Sequence, residues 1–149
     1  MYKPKLNATS KYNQGEFIPK NPKKYVGTLP ILSRSSWELK LMQFFDTHPN
    51  VICWGSENVA IPYMHPFKKR IARYYPDFMV KYRDKNGKEF SEVIEVKPQK
   101  EAVMEKAKSK YDKLSVILNQ HKWAAAKKFC EANNLTFRII TEADLFKLG

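Results

Sequence analysis

Two alternating apolar segments, 78–83 and 90–97, flank the run Asp84-Lys85-Asn86-Gly87-Lys88, and this pairing constrains the fold more than any other feature of the chain. An Asn-Gly step between such segments favours a hairpin, here a type I turn closed by Gly87 in the left-handed conformation, which pairs Asp84 with Lys88. Counting back along both strands then sets Asp77 opposite Glu95. Because side chains alternate with period two, Asp77, Met79 and Lys81 share a face with Ser91, Val93, Glu95 and Lys97. Phe78, Val80, Tyr82, Ile94 and Val96 take the other face.

Opposed residues on paired strands have Cβ atoms about 5 Å apart, where two carboxylates repel each other. A divalent cation relieves that repulsion. Magnesium takes one or two carboxylates and keeps several waters, so Asp77, Glu95 and the backbone carbonyl of Val96 form a candidate ligand set. Lys97, on the same face, is placed to hold or activate an attacking water and to offset phosphate charge. The competing reading is a solvated strand face on which Lys97 and Lys81 neutralise the two acids.

Upstream, Trp37, Leu41, Phe44 and Phe45 recur at helical spacing, which predicts a helix from the Ser33–Ser36 cluster to about Asp46, before His48-Pro49-Asn50. Glu38 shares the inward stripe of that helix with Leu41, Met42 and Phe45. It is a candidate third acid for one or two magnesium ions. Ser35-Ser36-Trp37-Glu38 also reads as a capping box in which Glu38 reaches back to the backbone of Ser35.

The chain has 149 residues, 27 Lys plus Arg against 15 Asp plus Glu, and a net charge of +12. That length suits one domain, and the charge favours a polyanionic partner such as nucleic acid. Cys53 and Cys130 lie apart in apolar segments, as buried free thiols do in a reducing compartment. No apolar run suits a signal peptide or a membrane span, which points to the cytoplasm. Residues 1–30 carry four prolines and no hydrophobic period and are expected to form an extended basic arm, with ordered structure from Ser33. Residues 31–149 form the expected domain. Further elements are predicted at 51–54, 59–61, 101–118 (helix), 119–132 (helix), 135–140 (strand) and a short last helix capped by Thr141–Asp144. Their order describes an α/β fold, a mixed β-sheet flanked by helices.

Glu38 on a helix, Pro76-Asp77 on a strand and Glu95-Val96-Lys97 on the next strand resemble the PD-(D/E)xK superfamily of restriction-endonuclease-like nucleases. From about Ser33 to Ile140 the chain is similar to TnsA-type endonucleases. In length, in its Pro-rich basic arm and in the run Lys122-Trp123-Ala124-Ala125-Ala126 it also resembles the head-completion nucleases of T4-like phages. The resemblance implies a restriction-endonuclease-like core, with Asp77 and Glu95 as metal ligands, Lys97 as the catalytic lysine and Glu38 as the helix acid. It further implies magnesium, or manganese in its place, and cleavage of DNA phosphodiesters. By the phage resemblance the protein would process DNA ends during virion assembly, in the host cytoplasm or on the virion, with portal or head proteins as partners. A second subunit is common among such enzymes.

Arg34, Lys68, Lys69, Arg70, Arg73 and Lys122 are candidate DNA contacts. His65 and the 68–73 cations read as a basic loop with Tyr74 and Tyr75 that could bring phosphate to the acids; a solvated loop explains them equally well. His48 and His121 have no zinc-site spacing and are expected at the surface or in caps. The competing function is a non-catalytic basic protein that binds packaged DNA in the phage head. RNA binding by aromatic stacking is a third reading, without an RNP-type strand to support it.

Overall fold

The computed structural model describes residues 15–145. In chain order, β1 (Gly15–Phe17) and β2 (Ile31–Ser33) form a small antiparallel pair, followed by α1 (Ser36–Thr47) and β3 (Val51–Ser56). Next come β4 (Ile61–His65), β5 (Arg70–Tyr74), β6 (Phe78–Arg83) and β7 (Glu89–Val96). The chain then runs through α2 (Gln99–Ala102), the long α3 (Lys110–Ala132), β8 (Thr136–Ile140) and α4 (Glu142–Leu145). The main sheet has the order β3-β6-β7-β8, antiparallel except for the parallel pair β7/β8, while β4 and β5 make a separate hairpin. This is the mixed sheet flanked by helices of a restriction-endonuclease-like core.

The β6/β7 hairpin takes the register that counting gives. Phe78 pairs with Ile94 and Arg83 with Glu89. Asp84 N–H donates to Lys88 O at 2.9 Å, Gly87 N–H donates to Asp84 O at 3.0 Å, and Gly87 has φ 80°. Asp84 Oδ1 also accepts from Asn86 and Lys88 N–H, both at 2.9 Å, so the aspartate side chain fixes the turn locally. Phe78, Val80 and Ile94 then lie in one core with Leu41, Met42 and Phe45 of α1. Each such side chain stabilises the fold by roughly 1.5–3 kcal/mol through burial.

The opposite layer is α3, whose Trp123 and Ala126 pack against Ile61, Tyr63 and Tyr74 of the β4/β5 hairpin, with Phe137 and Ile139 of β8 beside them. Here the sequence-based expectation is corrected. One helix replaces the two expected at 101–118 and 119–132: Ser109 Oγ caps its start by accepting from Asp112 N–H at 3.0 Å, and Asn119 lies buried inside it. Its side-chain amide donates to Glu101 O at 3.0 Å and ties α3 to α2. Residues 70–74, expected in a loop, form strand β5, because Ala72 and Tyr74 face the α3 layer while Arg70, Ile71 and Arg73 face out.

Ordered structure also begins before Ser33. Phe17 enters the α1 core and packs edge-on to Trp54, with ring centroids 6.0 Å apart. Asp46, 1% exposed, accepts from the backbone N–H of Lys20 at 2.8 Å and of Asn21 at 2.9 Å. Val26 N–H donates to Trp54 O at 2.7 Å. A Cβ at Gly55 would stand 2.4 Å from Val26 O, so this close approach requires glycine. The lysines of residues 1–14 lie outside the described residues. Cys53 and Cys130 are free thiols, and among the described residues no helix is long and apolar enough to cross a membrane.

Candidate active site

The hairpin brings the first two acids together at the end of β7. Val96 N–H donates to Asp77 Oδ2 at 2.7 Å, and Asp77 N–H donates to Glu95 Oε1 at 3.3 Å. Each carboxylate is thus held by the backbone beside the other. Glu95 is buried, whereas Asp77 is partly open to a cavity of about 900 Å³ that both line.

Burial raises the Asp77 pKa, against the pull of the Val96 N–H and the Lys97 charge. Burial and the neighbouring Asp77 charge push Glu95 well up, with Lys97 as the main counterweight. Lys97 Nζ stands 3.9 Å from Glu95 Oε2. Lys97, together with Arg34 acting on Asp77 and Lys122 acting on both acids, therefore offsets the two carboxylates incompletely, and both stay raised. Lys81, the other cation on this face, is drawn instead to Glu89 at 3.2 Å, so a neutralised, solvated strand face does not form.

Glu38 reaches the same cavity from the first turn of α1. Ser35 Oγ accepts from Glu38 N–H at 3.1 Å, as a cap should, but the Glu38 carboxylate turns to Arg34 N–H at 3.4 Å instead of to Ser35. Burial and then the Asp77 charge push Glu38 up to about 7, against the opposing pull of Arg34 and Lys97. Glu38 is both part of a cap and a member of the acid group.

Of the cations read as DNA contacts, Arg34, Arg73 and Lys122 line the cavity. Lys122 projects from α3, with Nζ 6.0 Å and 5.7 Å from the ring centroids of Tyr63 and Tyr74. Burial lowers its pKa, as does Lys97. Lys68, Lys69 and Arg70 do not line the cavity; they stand exposed at the turn of the β4/β5 hairpin. His65 Nδ1 accepts from the N–H groups of Phe67 and Lys68 at 3.2 and 3.1 Å, and so shapes that turn. His48 Nδ1 accepts from Asn50 N–H at 3.1 Å, and His121 Nδ1 lies 3.0 Å from Ile117 O.

Several lining residues escaped sequence reasoning. Glu57 is 7% exposed and its N–H donates to Asp77 O at 3.0 Å. It follows Gly55-Ser56, which reads as a strand break, and nothing in its local pattern marks it as buried. Tyr74, read from the sequence as part of a loop near the acids, is instead buried on β5 beside them, and burial followed by the charges of Glu95 and Asp77 raises its pKa. Neither Tyr74 Oη nor Trp123 Nε1 meets hydrogen-bond geometry with any described residue. Lys100 and Glu101 of α2 complete one wall.

The donor chemistry fits a hard divalent cation. Among the described residues no three His, Cys, Asp or Glu side chains are grouped so as to hold a metal ion together, but magnesium does not require three, since it binds through one or two carboxylates and retains water. Asp77, Glu95 and the Val96 carbonyl supply oxygen only. The incompletely offset charge of the two acids is what such an ion would relieve.

A sequence model of the TnsA-like endonuclease N-terminal family matches residues 48–142, which include Asp77, Glu95, Val96 and Lys97. The chain is also 36% identical over 146 residues to the head completion nuclease of Enterobacteria phage T4, covering 91% of this chain and 95% of that protein. With the family model matched over more than half of its length and a relative aligned nearly end to end, the chain belongs to the TnsA-like endonuclease family.

Proposed function

We propose that this endonuclease cuts DNA with magnesium, or with manganese in its place, held by Asp77, Glu95 and the Val96 carbonyl, with Glu38 completing the acid set. The observation that carries the reading is the reciprocal backbone anchoring of Asp77 and Glu95 beside Lys97. A bound divalent cation supplies Lewis-acid stabilisation of the charge that grows on the phosphorane. The chain's own groups do the rest. Lys97 orients the attacking water in line with the scissile bond and offsets charge on the phosphate oxygens. Glu38, at the same cavity, is suited to accept the proton that this water loses. Arg34, Arg73 and Lys122 bind the flanking phosphates at the cavity wall, and Lys68, Lys69 and Arg70 engage the DNA backbone from the hairpin turn.

Similarity to the T4 head completion nuclease supports a role in finishing DNA ends as phage heads are completed, with portal or head proteins as partners and the host cytoplasm or the virion as the place of action. Incubating plasmid and linear DNA with the protein and magnesium, beside Asp77→Ala and Lys97→Ala, tests the activity. The expected result is DNA binding by all three proteins and cutting by the parent alone. Binding without cutting by any of them would favour a non-catalytic DNA-binding protein of the head.

A further inference from the structure

We propose that Glu57 is a positioning residue. It holds the Arg34 guanidinium at the cavity wall and so keeps that cation from settling between Glu38 and Asp77; this rests on the reading of the cavity as a divalent-cation site.

Glu57 combines features that a surface ion pair does not need. It ion-pairs with Arg34 through Oε1, while Oε2 is buried with no hydrogen-bond partner among the described residues. Its backbone has φ 49°, a left-handed conformation that is unfavourable for a residue with a Cβ and that collects at functional sites. Its N–H donates to Asp77 O at 3.0 Å, so the strained residue is tied to the segment that carries the first acid. Glu57 and Arg34 line the same cavity as Glu38 and Asp77.

Arg34 is within reach of several acids. Its backbone N–H donates to Glu38, and the charge of its guanidinium acts on both the Glu38 and Asp77 carboxylates. Among the described residues, however, Glu57 is the carboxylate that ion-pairs with the guanidinium. A guanidinium is permanently charged, with five donors in a fixed fork that suits carboxylates as well as phosphates. Without Glu57, Arg34 would turn to the acids still in reach and neutralise the group that attracts the metal. With Glu57 in place, a guanidinium whose side chain is 33% exposed stays at the wall, accessible to a phosphate.

A double-mutant cycle on metal affinity tests this. Manganese(II) is titrated into the full chain without DNA, and free ion is counted by its paramagnetic resonance signal, for the parent, E57Q, R34Q and R34Q/E57Q. Glu57→Gln is expected to weaken manganese binding about tenfold when Arg34 is present and less than twofold when it is absent. Equal losses in both backgrounds would make Glu57 a ligand or a plain negative charge, and no loss in either would remove its role; both results overturn the proposal. If E57Q does not fold, R34Q alone decides, because it should bind manganese at least as tightly as the parent, and weaker binding contradicts the proposal. A parent protein that takes up no manganese overturns the metal-site reading together with this one, whereas manganese uptake with equal losses overturns only the role of Glu57.

Discussion

Glu95 Oε1 accepts a hydrogen bond from the backbone N–H of Asp77, 3.3 Å away, one residue before the first β6/β7 pair, Phe78 and Ile94. Asp77 in turn accepts from Val96 N–H, so the two carboxylates are held side by side by main chain that the hairpin register has already fixed. The side chains contribute charge and the turn contributes position.

Replacing either acid should therefore separate activity from stability. For Glu95→Gln, cleavage is expected to fall at least about a hundredfold, a decrease typical of removing one preorganised electrostatic interaction. The metal-free melting temperature at pH 8 should hold or rise, because a buried charge beside a like charge is removed. Cleavage rates and thermal melts in EDTA measure the two effects.

Glu38 makes stability depend on pH. Its pKa in the folded protein is about 7, against an ordinary 4.5. As pH rises from 4.5 to 7 the unfolded chain releases this proton first, so the metal-free native state loses stability across that window and shows no further slope from Glu38 above it. Glu38→Gln should flatten this part of the profile, and melts of both proteins between pH 4.5 and 8 would show the difference. If Glu38 were only a cap, the substitution would keep activity and cost roughly 1 kcal/mol at most.

At the hairpin turn, changing Lys68, Lys69 and Arg70 together to Gln should weaken DNA binding similarly for all sequences. It should also make the dependence of affinity on salt shallower, by roughly 0.9 in log–log slope for each phosphate that is no longer neutralised. Arg73→Gln, at the cavity, should lower cutting more than binding. Anisotropy titrations from low to high salt, set beside cleavage rates, distinguish the two positions.

Much of the site was legible because hairpin arithmetic is local: the Asn-Gly step and the alternation on either side suffice to bring Asp77, Glu95 and Lys97 together. The α1 core stripe was legible for the same reason. Glu57 was not, since its burial comes from Arg34 and the Asp77 backbone, which are distant in sequence. The full extent of α3 was not legible, since buried Asn119 inside it is held by a tie to Glu101 of α2, a contact distant in sequence. Residues 15–30 lack a period, yet they order against Asp46, Trp54 and β2 through backbone hydrogen bonds that no side-chain pattern reveals.

That N-terminal anchoring can be tested by itself. Asp46→Ala leaves the N–H groups of Lys20 and Asn21 without their buried acceptor and should cost about 1.5–3 kcal/mol. Cleavage at a temperature where the variant stays folded should be unchanged. Denaturant unfolding gives the stability and a plasmid assay the activity.

A cation between Asp77 and Glu95 is to be sought in the anomalous scattering of a crystal soaked in manganese. An anomalous peak roughly 2.1 Å from a carboxylate oxygen of each residue, the bond length of a small octahedral cation, is the predicted result. A fully soaked crystal with no peak there, or with its only peak at a site remote from both carboxylates, would contradict it.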